Sequence, residues 1–355
     1  MSIGYSSTTQ SREYEKVASQ QKEHQTSCVE HEISLSQQER RGNVSASSRR
    51  YYYRTYGMTI ASEIEIPEIL EIPPVESTDL EILTPDVTNQ MEHATYIDQW
   101  FQIGDQRCQI EIPGIARYRV EGGQRLMLDR RGVGGSDAST RPGDVRLFLL
   151  GSALGVLIYQ RQWLPLHVSA LDTPAGVWAF TGHSGAGKST LGAWLHHTQG
   201  WPLVSDDVAV IKPEEEEPLL HPGPSRVKLW QDALAALGID RQGLTRDLSR
   251  HDKYHLSLDR AFDLEAKPLK ALVKLEKSEP GESPSLERIT GMEAFLVLAA
   301  ALYRGDLGKE FYGPGEMMKA LTELTEKIDV YRFRRPWNLA NIDDNLSPLL
   351  NEISC

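Results

Sequence analysis

The alternation of apolar and polar positions divides the chain into three textures. Residues 1–49 are polar, rich in Ser, Gln and Glu and poor in large apolar side chains. Such a segment buries too little surface to offset the entropy of ordering, so a disordered tail is expected there. From Tyr51 the pattern changes to short pieces of period two: Tyr51–Ile60, Glu63–Ile66, Glu81–Leu83, Cys108–Ile112, Ala116–Val120 and Gln124–Leu128. These predict strands. Pro67, Pro73, Pro74 and Pro85 interrupt them, and together they describe a small, mainly-β region over 50–130. Beyond it, the apolar run Leu147–Tyr159 predicts a buried helix over 145–160. Strands are expected at 165–171, 176–181 and 203–211, with a helix at 188–198. Later segments read as helix (229–237), strand (269–275), helix (292–303 and 316–327), strand (330–334) and a closing helix (343–353). That alternation predicts an α/β core over 145–353.

Composition narrows the function classes. The chain has 355 residues, 40% of them hydrophobic and 25% charged, with a formal net charge of −12. A negative chain supplies no field to gather phosphates of DNA or RNA, so no nucleic-acid partner is expected. The longest apolar stretch is short for a bilayer span, and no membrane role is expected. Cys28, Cys108 and Cys355 have the spacing of neither a zinc site nor a disulfide framework, which suits a reducing cytoplasm. The acidic run Glu214–Glu217 reads as a solvated turn.

The chemistry enters at Gly182-His183-Ser184-Gly185-Ala186-Gly187-Lys188-Ser189, the pattern G-x-x-x-x-G-K-[ST] of a phosphate-binding loop. Glycines let the backbone curl until successive N–H groups face a bound phosphate. The helix that begins near Lys188 and Thr190 adds its positive end. Lys188 brings a charge to the terminal phosphates, and the Ser189 hydroxyl can ligate Mg2+. An apolar strand before the loop and a helix after it are the setting that this motif requires; a chance match in a Gly-rich turn is the alternative.

A loop that binds a nucleoside triphosphate for catalysis needs carboxylates. The apolar run Leu203–Ile211 carries two, Asp206 and Asp207, 18 residues after Lys188. Adjacent strand residues point to opposite faces, so a bulge or strand end is needed for both to reach the phosphates, and the two are expected to do different jobs. An acidic turn capping a strand is the alternative. His167 lies in the preceding expected strand, where a hydrogen-bonded core histidine is the alternative to a functional one.

Taken together, His167, the loop at 182–189 and the Asp206–Asp207 pair resemble the HPr kinase/phosphorylase family. The likeness is greater to its shorter relatives associated with peptide-modification clusters, such as lasso-peptide serine kinases. Pro222–Trp230, Asp252–Tyr254 and Val330–Trp337 add to that resemblance, which covers roughly 160–350. It implies a P-loop core of the HPr-kinase and PEP-carboxykinase type, with ATP and Mg2+. In it Asp206 would be the general base at an acceptor serine, and Asp207, with Ser189, would position Mg2+ or the acceptor. His167 would sit near the transferring phosphate, and Lys188 would neutralise charge. Arg226, Lys253 and Arg304 are the candidates for a further positive side chain, each equally readable as a surface charge. Val168 stands where the family has glycine, and the Glu-Ile-Arg-Gly signature is absent.

The leading expectation is an ATP- and Mg2+-dependent kinase acting on a serine of a small protein or peptide, either HPr-like or a modified-peptide precursor. An ATP-binding switch or peptide-presenting module without phosphotransfer, and a kinase or ligase for a small metabolite, are the alternatives. Monomer and homo-oligomer both remain open.

Overall fold

A computed structural model describes residues 49–131, 141–224, 226–240, 245–246, 253–257, 265–337 and 341–354. The tail expected over residues 1–49 lies outside them apart from Arg49, as do Cys28, Asp252 and Cys355. The fold is mixed α/β, built on two nine-stranded sheets and a three-stranded one among the described residues.

The first sheet spans residues 51–129. Its centre is a meander of Phe101–Gly104, Arg107–Ile112, Ala116–Glu121 and Arg125–Asp129, extended through Leu80–Leu83 to the hairpin Tyr51–Thr55/Met58–Ser62. The hairpin turn is Tyr56–Gly57, both at positive φ (53° and 66°), the geometry that two-residue hairpins favour. Alternation buries Met58 and Ile60 as the period predicts. Cys108 is buried here, and burial pushes its thiol up from the ordinary range, so it packs as a small apolar residue.

The apolar helix runs from Pro142 to Gln160, with a wider π turn over Leu149–Ala153. It is long and apolar enough to cross a bilayer, but 67% of its apolar window is buried inside the fold. Gly151 and Gly155 make room for the Tyr303 ring, which a Cβ at either would meet at 3.3 or 3.2 Å. The helix is tied to the first sheet: its Val145 carbonyl accepts from Tyr118 Oη (2.8 Å), and Gln160 Oε1 accepts from the Gly123 N–H (2.9 Å).

In the second large sheet the strand before the loop, Gly176–Thr181, lies between Ser169–Thr173 (antiparallel) and Lys267–Lys277 (parallel). Asp329–Arg335 continues in parallel beyond Lys267–Lys277, and Leu203–Asp206 lies beyond Ser169–Thr173. The helix Lys188–Gln199 covers one face, burying Leu191 and Leu195 against Trp178, Phe180 and Phe333. Gly200, at φ 72°, closes it.

Three expected strands are corrected. Glu63–Ile66 holds no strand; the chain bends at Glu63 and Ile64, just after Met58–Ser62 ends. The one at 165–171 is two, Leu164–Leu166 and Ser169–Thr173, and the one at 203–211 is also two, Leu203–Asp206 and Ala209–Ile211. Both chains break at the same level. Leu164–Leu166 pairs with Ala209–Ile211, and Ser169–Thr173 pairs with Leu203–Asp206. Period alone cannot show such a break, because the residues on either side keep their alternation. The helix expected over 229–237 starts later, at Gln231, because Arg226–Trp230 pairs with Lys253–Ser257. Glu214–Glu217 is a turn, but not merely a solvated one: Glu214 accepts from Trp163 Nε1 (2.8 Å), and Glu215 is 2.8 Å from His221 Nε2.

Candidate functional site

The loop begins where Gly176–Thr181 ends, at the C-terminal edge of the parallel strands. Gly182, Gly185 and Gly187 have φ of 153°, 87° and 84°. A Cβ on Gly182 would meet the Leu275 carbonyl oxygen at 3.1 Å, so the tight curl requires glycine there for space as well as for backbone freedom. His183, Ser184 and Gly185 form the exposed crown, while Ala186 is buried. Lys188 opens the helix and is 8% exposed; its Nζ donates to the carbonyls of Gly182 (2.8 Å) and His183 (3.4 Å). Ser189 and Thr190 follow in the first turn, half-buried. A curled glycine backbone at a helix N-terminus, with a lysine folded over it, is an arrangement suited to holding an anion.

Asp206 stands opposite Ser169, which stands opposite Phe180. Directly opposed residues share a face. Ser169 Oγ lies 2.3 Å from where a Gly192 Cβ would sit, so that face is the one the helix Lys188–Gln199 covers. Asp206 is therefore on the helix side of the sheet, two residues short of the loop's start at Gly182 and two strands, about 10 Å, across from it. It is 5% exposed.

Asp207 turns the other way. Its φ is 85°, a left-handed conformation, and its side chain is about half exposed. The bend delivers it to His167 in the neighbouring break. The His167 Nδ1–H donates to the Asp207 carbonyl (2.8 Å), and Nδ1 is 3.3 Å from the Asp207 carboxylate. That bond places the proton on Nδ1 and leaves Nε2 of a neutral ring as the acceptor. The His167 carbonyl accepts from Thr181 Oγ1 (3.2 Å), immediately before Gly182. One chain of hydrogen bonds thus connects Asp207, His167 and the root of the loop. The two aspartates thus lie in different surroundings, Asp206 buried on the helix side and Asp207 half-exposed beside His167.

The positive candidates separate. Arg304, at φ 53°, packs on the Tyr303 ring, whose centroid is 6.0 Å from that of His167. Arg226 and Lys253 lie at opposite ends of one ladder, Arg226 opposite Ser257 and Lys253 opposite Trp230.

Arg335 was not among the expected residues. Along Asp329–Arg335 the inward positions are Tyr331, Phe333 and Arg335. The first two belong to the core under the helix, and Arg335 comes next on that face, 3% exposed. Its Nη2 lies 3.3 Å from where a Gly187 Cβ would sit. The period-two pattern Tyr-x-Phe-x-Arg was the signal that could have revealed it. Beside it the rings of Trp337 and His183 are 5.1 Å apart.

Mg2+ takes one or two protein oxygens together with substrate phosphates, and needs no preformed cage. The described residues contain no cluster of three metal-binding side chains. Ser189 in the first helical turn and the half-exposed Asp207 are hard oxygen donors that fit such a site. When bound there, the ion would neutralise charge on the phosphates.

No protein-family model matches the chain, and no curated protein matches it. Among solved structures, the chain is similar to the Hpr(Ser) kinase/phosphatase from Coxiella burnetii, with 12% identity over 53% of this chain and 95% of that one. The TM-score of 0.28 makes the likeness too slight to carry an argument.

Proposed function

We propose that the protein is a Mg2+-dependent kinase that transfers the terminal phosphoryl group of ATP to a serine hydroxyl of a small protein or peptide. The observation that carries this reading is the glycine loop and Lys188 in strand–loop–helix context, with the Asp206–Asp207 bend tied to it through His167 and Thr181.

In this reading the loop N–H groups and Lys188 hold the phosphates in line and stabilise their charge, which is most of what phosphoryl transfer requires. Asp206 takes the proton of the serine hydroxyl. The serine oxygen bonds to the terminal phosphorus as the bond to the departing ADP oxygen breaks. Burial of Asp206 keeps bulk water away from the base itself. Asp207 and Ser189 position Mg2+ or the acceptor, and His167 orients Asp207. The β region at 50–130 is the candidate for acceptor recognition.

The test is mass spectrometry of HPr and of serine-ended precursor peptides after incubation with the protein, ATP and Mg2+. A gain of one phosphate, lost in Asp206→Asn and in Asp207→Asn, is expected. Tight ATP binding with no transfer to any acceptor would refute the kinase reading and favour a nucleotide-operated switch.

A further inference from the structure

Among the described residues two arginines are almost completely buried, and they are held differently. Arg117, 1% exposed, is fully engaged: it donates to Glu111 (2.8 and 3.0 Å) and to the Val87 carbonyl (2.7 Å), and stands 3.7 Å from Asp129. That is how a structural arginine is held. Arg335 is different. Its one hydrogen bond within the described residues is a long one, from Nη1 to the carbonyl of its own neighbour Pro336 (3.4 Å). Its Nε is buried without a partner, and no carboxylate among the described residues pairs with it. Burial lowers its proton affinity from the ordinary arginine range, yet a guanidinium stays charged at neutral pH.

An unpaired buried charge is among the costliest arrangements a fold can hold, so its position calls for a reason. Arg335 sits at the end of its strand, where the apolar core gives way to the phosphate-binding loop. Its guanidinium packs on the bare α-carbon of Gly187, one residue before the helix starts at Lys188. Gly187 is needed there for its φ of 84° and also for the room it leaves to Arg335. Five donors in a rigid plane match the oxygens of a phosphate, which a lysine addresses only as a point charge.

We propose that Arg335 is a phosphate-binding residue of the loop, a second cation that grips the polyphosphate chain from the side opposite the Asp206–Asp207 bend. The inference rests on the reading of residues 182–189 as an anion-binding loop, and its ligand chemistry is a di- or triphosphate chain, either free pyrophosphate or a nucleotide.

The experiment measures binding of pyrophosphate and, separately, of ATP to the full chain by calorimetry. It also records melting without ligand, for wild type, Lys188→Ala, Arg335→Lys and Arg335→Met. Loss of a charge-assisted bidentate contact should weaken Arg335→Met by about 10- to 100-fold toward both ligands. Its ligand-free melting should be no lower than wild type, because an unpaired buried charge has been removed. Arg335→Lys should fall between the two. Weakening toward ATP alone would place Arg335 on the nucleoside and overturn the phosphate assignment. Wild-type affinity in Arg335→Met, or a drop in ligand-free melting that Arg335→Lys restores, would show a structural arginine. Should Arg335→Met not fold, unchanged affinity in Arg335→Lys overturns the proposal and weakened affinity at unchanged melting supports it. If wild type binds neither ligand, the loop reading itself falls. If Lys188→Ala loses binding while both Arg335 variants keep it, only this inference falls.

Discussion

Replacing Asp207 by glycine and by alanine tests the bend on which the site depends. At φ 85° an L-residue carries a left-handed penalty of about 1–2 kcal/mol that glycine does not. Glycine gives back about 0.4–1 kcal/mol through the greater freedom of its unfolded chain. The balance is that Asp207→Gly should be more stable than Asp207→Ala by about 1 kcal/mol. Other contributions cancel between the two. Both lose the contact of the carboxylate with His167, which is worth under about 1 kcal/mol because its partners are 35% and 46% exposed. Both keep the bond from His167 Nδ1 to the backbone carbonyl, which no side-chain change removes. A difference of that size is a shift of about 2–4 °C in melting temperature for a domain of somewhat smaller size. It is readable by differential scanning fluorimetry and by urea midpoints. Both variants should also fail to transfer phosphate. Equal stabilities, or a more stable alanine variant, would refute the left-handed bend at Asp207 and with it the account of how His167 and Asp207 meet.

Two other expectations address packing and pH. A Cβ on Gly192 would come within 2.3 Å of Ser169 Oγ, so Gly192→Ala should destabilise by about 1–3 kcal/mol in thermal melts. Adding Ser169→Ala should recover most of it, because the next contacts are at 3.4 Å; Ser169→Ala alone should be neutral or stabilising, since that buried hydroxyl has no hydrogen-bond partner among the described residues. Failure of the rescue would refute close approach of helix and sheet at this point. For His221, burial holds the imidazole below its ordinary range despite the pull of Glu215, with Lys212 acting in the same direction as burial. Because its folded pKa is depressed, protonation favours the unfolded chain. Its contribution is fully present above about pH 6.5 and is lost as pH falls through the lower folded value. Melting temperature should therefore decline more steeply from pH 7 to 5 in wild type than in His221→Gln; parallel profiles would refute the assignment.

Much of the site was legible because it is local. Gly182, Gly185, Gly187, Lys188 and Ser189 act within one turn of chain, so their spacing alone implies a curled backbone and a helix start. The strand before the loop and the helix after it are equally local, since period two and period 3.6 are properties of neighbouring residues. The long strands at 165–171 and 203–211 were misread for the same reason: alternation continues on both sides of a break. Nothing in the run Leu203–Ile211 reveals that Asp207 adopts positive φ.

What the sequence determined by itself is the curled glycine loop and helix start at 182–189, the α/β alternation around them and the presence of two acids a helix's length away. Only the tertiary structure decided which of the acids is buried, that His167 meets Asp207, that Arg226 and Lys253 lie apart, and that Arg335 lies against Gly187. Each of these depends on the pairing or packing of residues distant in sequence. Strand order and register set that placement, and in this fold they bring position 335 beside position 187. A surface charge and a buried unpaired one are the same letter in a sequence; the difference is what the rest of the chain packs around it.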